Sequence, residues 1–233
     1  MPEWKVKLIE KIERTADIKS FRFERPEDFK YLPGQFSYFY IPKEEGGEFF
    51  HHFTISSSPT EPNFIEFTTR IRESEYKQSL DKLALGTTIK VSSILGKFIL
   101  TEEFNKVVFI CGGIGITAAR SNIRWAIDTH ADVDIILLYA NRNLNNIAFK
   151  EELEALTEEN FKIFHILSHP EESWKGWKGR INPQFILANV PDWEERGWYV
   201  SGRPAMVDAI EKILTEDICV PLGIIREEFY FGY

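Results

Sequence analysis

The sequence predicts an all-β domain followed by an α/β domain: an antiparallel Greek-key β-barrel over residues 1–100, then a parallel sheet covered by helices over residues 101–233. Three observations carry this. Apolar residues alternate with polar ones through most of the first hundred residues, between closely spaced turn signals. Beyond residue 106, continuous apolar runs alternate with helical patterns, which places parallel strands beneath crossover helices. Between the two, Lys106 to Ala118 reads as a buried strand running straight into Gly112, Gly113 and Gly115 and then a helix.

In the first part, Trp4, Val6 and Leu8 alternate with charged residues, and Phe21 with Phe23, Phe36 with Tyr38 and Tyr40, Phe53 with Ile55, and Ile65 with Phe67 repeat the pattern. Arg25-Pro26, Pro33-Gly34, Glu45-Gly46-Gly47, Ser58-Pro59 and Glu61-Pro62 mark the turns. One helix is expected, Glu75 to Leu85, with Tyr76, Leu80, Leu83 and Ala84 on one face and Gly86 ending it. In the second part the pattern predicts helices over Ala119 to His130, Phe149 to Leu156 and Ala205 to Leu214. It predicts strands over Val133 to Tyr139, Phe161 to Leu167, Trp198 to Gly202 and Gly223 to Phe231. Ligands of such a sheet lie beyond the carboxyl ends of its strands. Gly112 to Thr117, Asn141-Arg142, Ser168-His169 and Ser201-Gly202 all fall there.

Composition excludes several functions. A content of 43% apolar residues in 233 is ample for a core. The net charge of −8 lies beyond residue 100, since the first hundred residues hold 15 basic and 15 acidic groups. An acidic chain repels nucleic acid. No apolar run approaches the roughly 20 residues of a membrane span, and the first residues begin no signal peptide, so the cytoplasm is the expected location. With two cysteines and no C-x-x-C, the chain builds neither a Cys-ligated iron–sulfur cluster nor the usual structural zinc. His51 and His52, adjacent on a strand, point to opposite faces, so no metal site is expected. Redox chemistry must then use an organic cofactor or a partner.

Two stretches carry the chemistry. In the glycine turn, absent Cβ atoms admit a pyrophosphate to the backbone, and the following helix points unpaired N–H groups at it. Gly113, Gly115 and Ala118 satisfy G-x-G-x-x-G/A, although Asn141-Arg142 replaces the acid expected on the ribose. Tight strand–helix packing is the alternative reading. The second stretch, His51 to Pro59, sets an aromatic ring, a run of hydroxyls and two imidazoles together, a wall suited to a flat heteroaromatic ring. A hydroxyl-rich turn is its alternative. No Ser/His/Asp or paired-carboxylate arrangement is placed for hydrolysis.

Together these residues resemble the ferredoxin–NADP⁺ reductase-like family of flavin- and NAD(P)-dependent oxidoreductases, over essentially the whole chain. The family's R-x-Y/F-S/T matches His51-His52-Phe53-Thr54, its P-G-Q matches Pro33-Gly34-Gln35, and its G-G-x-G-x-T matches Gly112 to Thr117. Its late C/S-G-x-x-x-M is similar to Ser201 to Met206, and its E-x-F/Y-x-G-Y ending to Glu228 to Tyr233. The resemblance implies a flavin-binding barrel followed by a Rossmann-like nucleotide domain. It implies that Phe53 packs on the isoalloxazine, that Thr54 hydrogen-bonds near N5, and that Ser79 holds the flavin phosphate. Gly112, Gly113, Gly115 and Thr117 would hold the nucleotide, with Ser201 beside the nicotinamide and Glu228 handling protons. Tyr233 or Phe231 would cover the flavin, and Arg142, Ser168, His169 and Lys175 would meet a 2′-phosphate. Two departures stand out. His51 replaces the phosphate-binding Arg, and Ser93-Ile94-Leu95-Gly96 replaces Gly-Pro-x-G, which leaves FAD or FMN open.

The implied activity is hydride transfer from NADPH or NADH to FAD, with electrons passed to a separate acceptor. That acceptor would be ferredoxin, flavodoxin, an oxygenase component or free flavin. A flavin-holding electron-relay subunit with little NAD(P)H turnover is the alternative.

Overall fold

The computed structural model describes residues 2–43 and 45–231, and within them the chain forms two six-stranded sheets. The first part contains β1 (Glu3–Glu13), β2 (Ile18–Glu24), β3 (Phe36–Pro42), β4 (Glu48–Thr54), β5 (Phe64–Arg70), α1 (Glu75–Lys82) and β6 (Thr88–Leu95). Its strands pair antiparallel in the order β4-β3-β6-β1-β2-β5, and a bridge from Ile55 to Phe67 brings the two edges together. The period-two pattern explains the interior: Phe21, Phe23, Phe39 and Phe67 all point inward and are fully buried. Phe39 and Phe53 lie 4.3 and 4.4 Å from Phe67 between ring centroids.

The second part contains β7 (Lys106–Gly112), α2 (Ile116–Asp128), β8 (Asp134–Asn141), α3 (Lys150–Glu154), β9 (Phe161–Leu167), β10 (Trp177–Lys178), α4 (Pro183–Asn189), β11 (Gly197–Gly202), α5 (Pro204–Lys212) and β12 (Ile225–Phe229). Every pairing in the order β10-β9-β8-β7-β11-β12 is parallel. Separate apolar clusters cover its two faces, which is why β7 and β8 read as unbroken apolar runs. Phe161 to Leu167 is a strand as expected. The helix after the glycine turn starts at Ile116 rather than Ala119, because Gly113–Gly115 form one 3₁₀ turn that leads into it. The pattern did not anticipate β10 or α4. No helix among the described residues is long and apolar enough to cross a membrane.

Candidate functional site

The glycine turn lies at the carboxyl end of β7, at the centre of the parallel sheet. Gly113 has φ +54°, and a Cβ there would meet nothing within 4 Å, so its outer side is open. Its neighbours are tightly packed. A Cβ on Gly115 would lie 2.4 Å from the Ser201 carbonyl oxygen, and one on Gly112 would lie 2.0 Å from Met206 Sδ. One glycine therefore faces open space while the others let β11 and α5 close beneath it. Ser201 is fully buried at the tip of β11, where its hydroxyl donates to the Gly115 carbonyl at 2.9 Å.

A line of hydroxyls crosses from this turn to the barrel. Thr117, in the first turn of α2, donates to the Ile114 carbonyl at 3.1 Å. The Tyr230 hydroxyl lies 2.9 Å from Thr117 Oγ1 and 2.9 Å from Thr54 Oγ1 at the end of β4. Each hydroxyl has one proton. Since Thr117 gives its own to Ile114, Tyr230 donates to Thr117. Glu228 is paired in register with Ser201 and is hydrogen-bonded to Thr54. Burial raises its pKa to about 7, the Thr54 hydroxyl opposing the shift, so near neutrality the carboxyl is divided between its protonated and ionised forms.

This line borders a cleft between β4 and the strand-end tail. About 20 Å³ of it is enclosed, roughly one water's worth, and the rest opens to solvent past Phe231, which is 64% exposed. Phe53 forms its floor and is stacked on Phe67 at 10°. His51 stacks on Phe53 at 5.0 Å and lies 5.6 Å from Tyr76 on α1. Burial, above all, lowers the His51 pKa, so the imidazole is neutral at pH 7. Ser79 is half-buried in α1, two residues beyond Lys77. Tyr233 lies outside the described residues.

The serine run has a different task from the ring wall that its composition suggests. Ser56, Ser57 and Ser58 are fully buried at the seam between the sheets. Ser121 on α2 donates to the Ser57 carbonyl at 2.7 Å, and Arg120 donates to the Ser56 carbonyl at 2.9 Å. Arg120, only 3% exposed, is also ion-paired with Glu61 and Glu152, which hold its pKa above the ordinary arginine value against its burial. The seam thus fixes Thr54 against Thr117. Across the sheet edge, the Arg142 carbonyl accepts from the His169 N–H at 2.7 Å and the Asn141 carbonyl from the Ser168 N–H at 3.0 Å. The expected tips of β8 and β9 are therefore neighbours. A larger cavity of about 480 Å³ opens around Lys106, Asp134 and Arg196, at the opposite, amino ends of the strands. Its walls are ion-paired to each other, and parallel sheets bind ligands at the other edge.

A model of the oxidoreductase FAD-binding domain matches residues 5–99, and a model of the oxidoreductase NAD-binding domain matches residues 109–212. The chain thus carries an oxidoreductase FAD-binding domain followed by an oxidoreductase NAD-binding domain, in the order found in ferredoxin–NADP⁺ reductase-like proteins, whose fold it shares. It is 30% identical over 219 residues to a glycine betaine monooxygenase reductase subunit of Pseudomonas aeruginosa, covering 90% of this chain and 59% of that protein. It is 29% identical over 214 residues to an NADH-cytochrome b5 reductase 1 of Ajellomyces capsulatus, covering 86% and 69%. A ferredoxin NADP⁺ reductase from Neisseria gonorrhoeae with bound FAD and NADP shares the fold, with a TM-score of 0.86 at 19% identity over 99% of this chain and all of that one. The chain thus spans about three fifths of the length of the first curated relatives it matches.

The reductase-like site fits FAD in its donor set. A hydroxyl, a carboxyl that titrates near neutrality and an open glycine turn meet at one seam, and the cleft beside them opens to solvent. Sequence reasoning missed the roles of Tyr230 and Arg120. The signal for Tyr230 was its place two residues after Glu228, on the same face of the tail.

Proposed function

We infer that the chain is an NAD(P)H-dependent flavoprotein reductase, taking hydride from NADPH or NADH onto FAD and passing electrons to a separate acceptor. The observation that supports it best is the Thr54–Tyr230–Thr117 link, which joins the flavin-side threonine to the nucleotide-side threonine across a buried seam. FAD, when bound, supplies the step between two-electron hydride uptake and onward electron transfer. The residues bind, orient and exclude water. Thr54 offers its oxygen to the reacting edge of the ring, Glu228 keeps a proton beside it, and Gly113 leaves room for the nucleotide's pyrophosphate. Ser201 sets the loop beneath the nicotinamide by holding Gly115. Ser79 and Tyr233 complete the flavin side in this reading, and Arg142 and Ser168 meet the far end of the nucleotide. Burial first, then the neighbouring Arg72 and Arg203, lower the Arg70 pKa against its ion pair with Asp17, and these arginines give the seam positive charge for phosphates.

The domain division at about residue 100, a ferredoxin, flavodoxin, oxygenase or small-molecule acceptor, and a cytoplasmic location belong to the same proposal. Anaerobic stopped-flow mixing of the FAD-loaded protein with NADPH and with NADH tests it. Rapid flavin bleaching by either is expected. Bound flavin that neither nucleotide reduces would leave only the relay reading.

A further inference from the structure

The connection from β8 to α3 is held in a conformation that its own residues disfavour. Phe149, at the N-cap of α3, has φ +58° and ψ +20°, the left-handed region that bulky side chains avoid. It is 4% exposed, so its surroundings impose the strain. Those surroundings reach across the seam. The Arg14 guanidinium, directly after β1 of the barrel, lies 4.4 Å from the Phe149 ring centroid, and that of Arg120 on α2 lies at 5.6 Å. Arg14 is itself fixed: its Nε donates to Ser20 Oγ at 2.8 Å and its Nη2 to the fully buried Glu66 carboxylate at 3.0 Å. The Arg14 N–H closes the turn on the Ile18 carbonyl at 2.9 Å, and Ile18 packs into the apolar cluster that contains Phe149. The β1–β2 turn of the barrel is thus seated on the β8–α3 connection.

The other end of this connection is the ligand edge. It leaves β8 at Asn141-Arg142, and Ala148, next to Phe149, presents its carbonyl to the Tyr139 hydroxyl at 3.4 Å. The same hydroxyl donates to the Gly113 carbonyl at 3.1 Å. Tyr139 is fully buried, and its single proton ties the glycine turn to the residue before Phe149. A dry cation–π contact and the cost of a left-handed aromatic residue are of similar size, so without the guanidinium the strain is free to relax the backbone.

We propose, on the footing that the chain is an NAD(P)H-dependent flavoprotein reductase, that Arg14 and Phe149 are positioning residues for the nicotinamide nucleotide. The barrel grips the Phe149 ring and, through Ala148 and Tyr139, sets the glycine turn and Arg142 in place. Both side chains act through the backbone. The flavin side does not depend on this grip, because Phe53, Thr54 and Glu228 lie on other elements.

Calorimetry of the flavin-loaded full chain with NADP⁺ and with NAD⁺, oxidised forms that leave the flavin unreduced, tests this beside urea unfolding of each variant. Arg14→Met leaves Glu66 paired with Arg22. It should weaken binding of the nucleotide that the wild type prefers by roughly tenfold, the scale of one desolvated cation–π contact. Phe149→Leu, apolar but without a ring face, should do the same, and the double variant should bind no more weakly than either, since both remove one contact. Arg14→Lys, which keeps a cation over the ring, should stay within about threefold of the wild type, and flavin affinity should hold within about twofold throughout. Equal nucleotide affinities in Arg14→Met and Arg14→Lys, additive losses in the double variant, or lowered stability with nucleotide affinity unchanged would overturn the positioning role and leave the reductase reading standing. A wild type that takes up flavin but binds neither nucleotide overturns both.

Discussion

Glu228 gives the sharpest test of the site's electrostatics. Burial raises its pKa from 4.5 to about 7 in the folded chain, and unfolding returns it to water. The folded state therefore holds the proton more tightly than the unfolded state. At pH 4.5 and below the group costs the fold little. Between pH 4.5 and 7 the unfolded chain releases the proton while the folded chain retains it, so stability falls as pH rises and levels off above 7. At about 1.4 kcal/mol per unit, the full loss is on the order of 3 kcal/mol. Glu228→Gln removes the titration, and its amide can still hydrogen-bond Thr54. The variant should match the wild type at pH 4.5 and exceed it by about 3 kcal/mol at pH 8, a rise of roughly 6–12 °C in Tm for a chain of this size. Urea unfolding of both flavin-free proteins from pH 4.5 to 8.5 measures the difference. Parallel curves would refute the buried, proton-holding carboxyl, and with it the assignment of Glu228 as a proton holder beside the flavin.

Other substitutions, in the seam and in the barrel, have equally definite outcomes. Gly115→Ala drives a Cβ into the Ser201 carbonyl and should destabilise the fold by about 2 kcal/mol or more, whereas Gly113→Ala, with space but positive φ, should cost about 1 kcal/mol and weaken nucleotide binding instead. Arg120→Met strands Glu61 and Glu152 in the seam, at a cost on the order of 3 kcal/mol, and calorimetry should then resolve two unfolding transitions. Tyr230→Phe deletes the bridge between Thr54 and Thr117; a loss of about 1 kcal/mol and slower bleaching by NADPH with unchanged flavin affinity are expected. Lys77 titrates with the opposite sign to Glu228: its folded pKa is lowered, so the flavin-free wild type should gain stability relative to Lys77→Met as pH rises from 7 towards 10, and a flat difference would contradict its burial.

Local pattern alone determined the two-part architecture, because a core-facing strand must alternate and a strand covered on both faces must not. It also located the glycine turn and the hydroxyl-rich stretch that follows β4, since backbone geometry at a turn and donor chemistry at a strand tip are short-range demands, whereas Glu228 and the role of Thr54 came from the family resemblance. The short helix α4 escaped despite its Asn182-Pro183 start, as seven residues carry too little periodicity. Only the tertiary structure decided what the serines do, because Ser57 meets Ser121 and Ser56 meets Arg120 across some sixty residues of chain. The same holds for Tyr230, whose partners Thr54 and Thr117 lie 176 and 113 residues away. It holds for Lys77 too, a lysine on a polar helix until the fold lays it over Phe53. Periodicity records which face of an element is dry. The partner found on that face, and the cost of a charge left there, depend on which distant elements the fold packs against it.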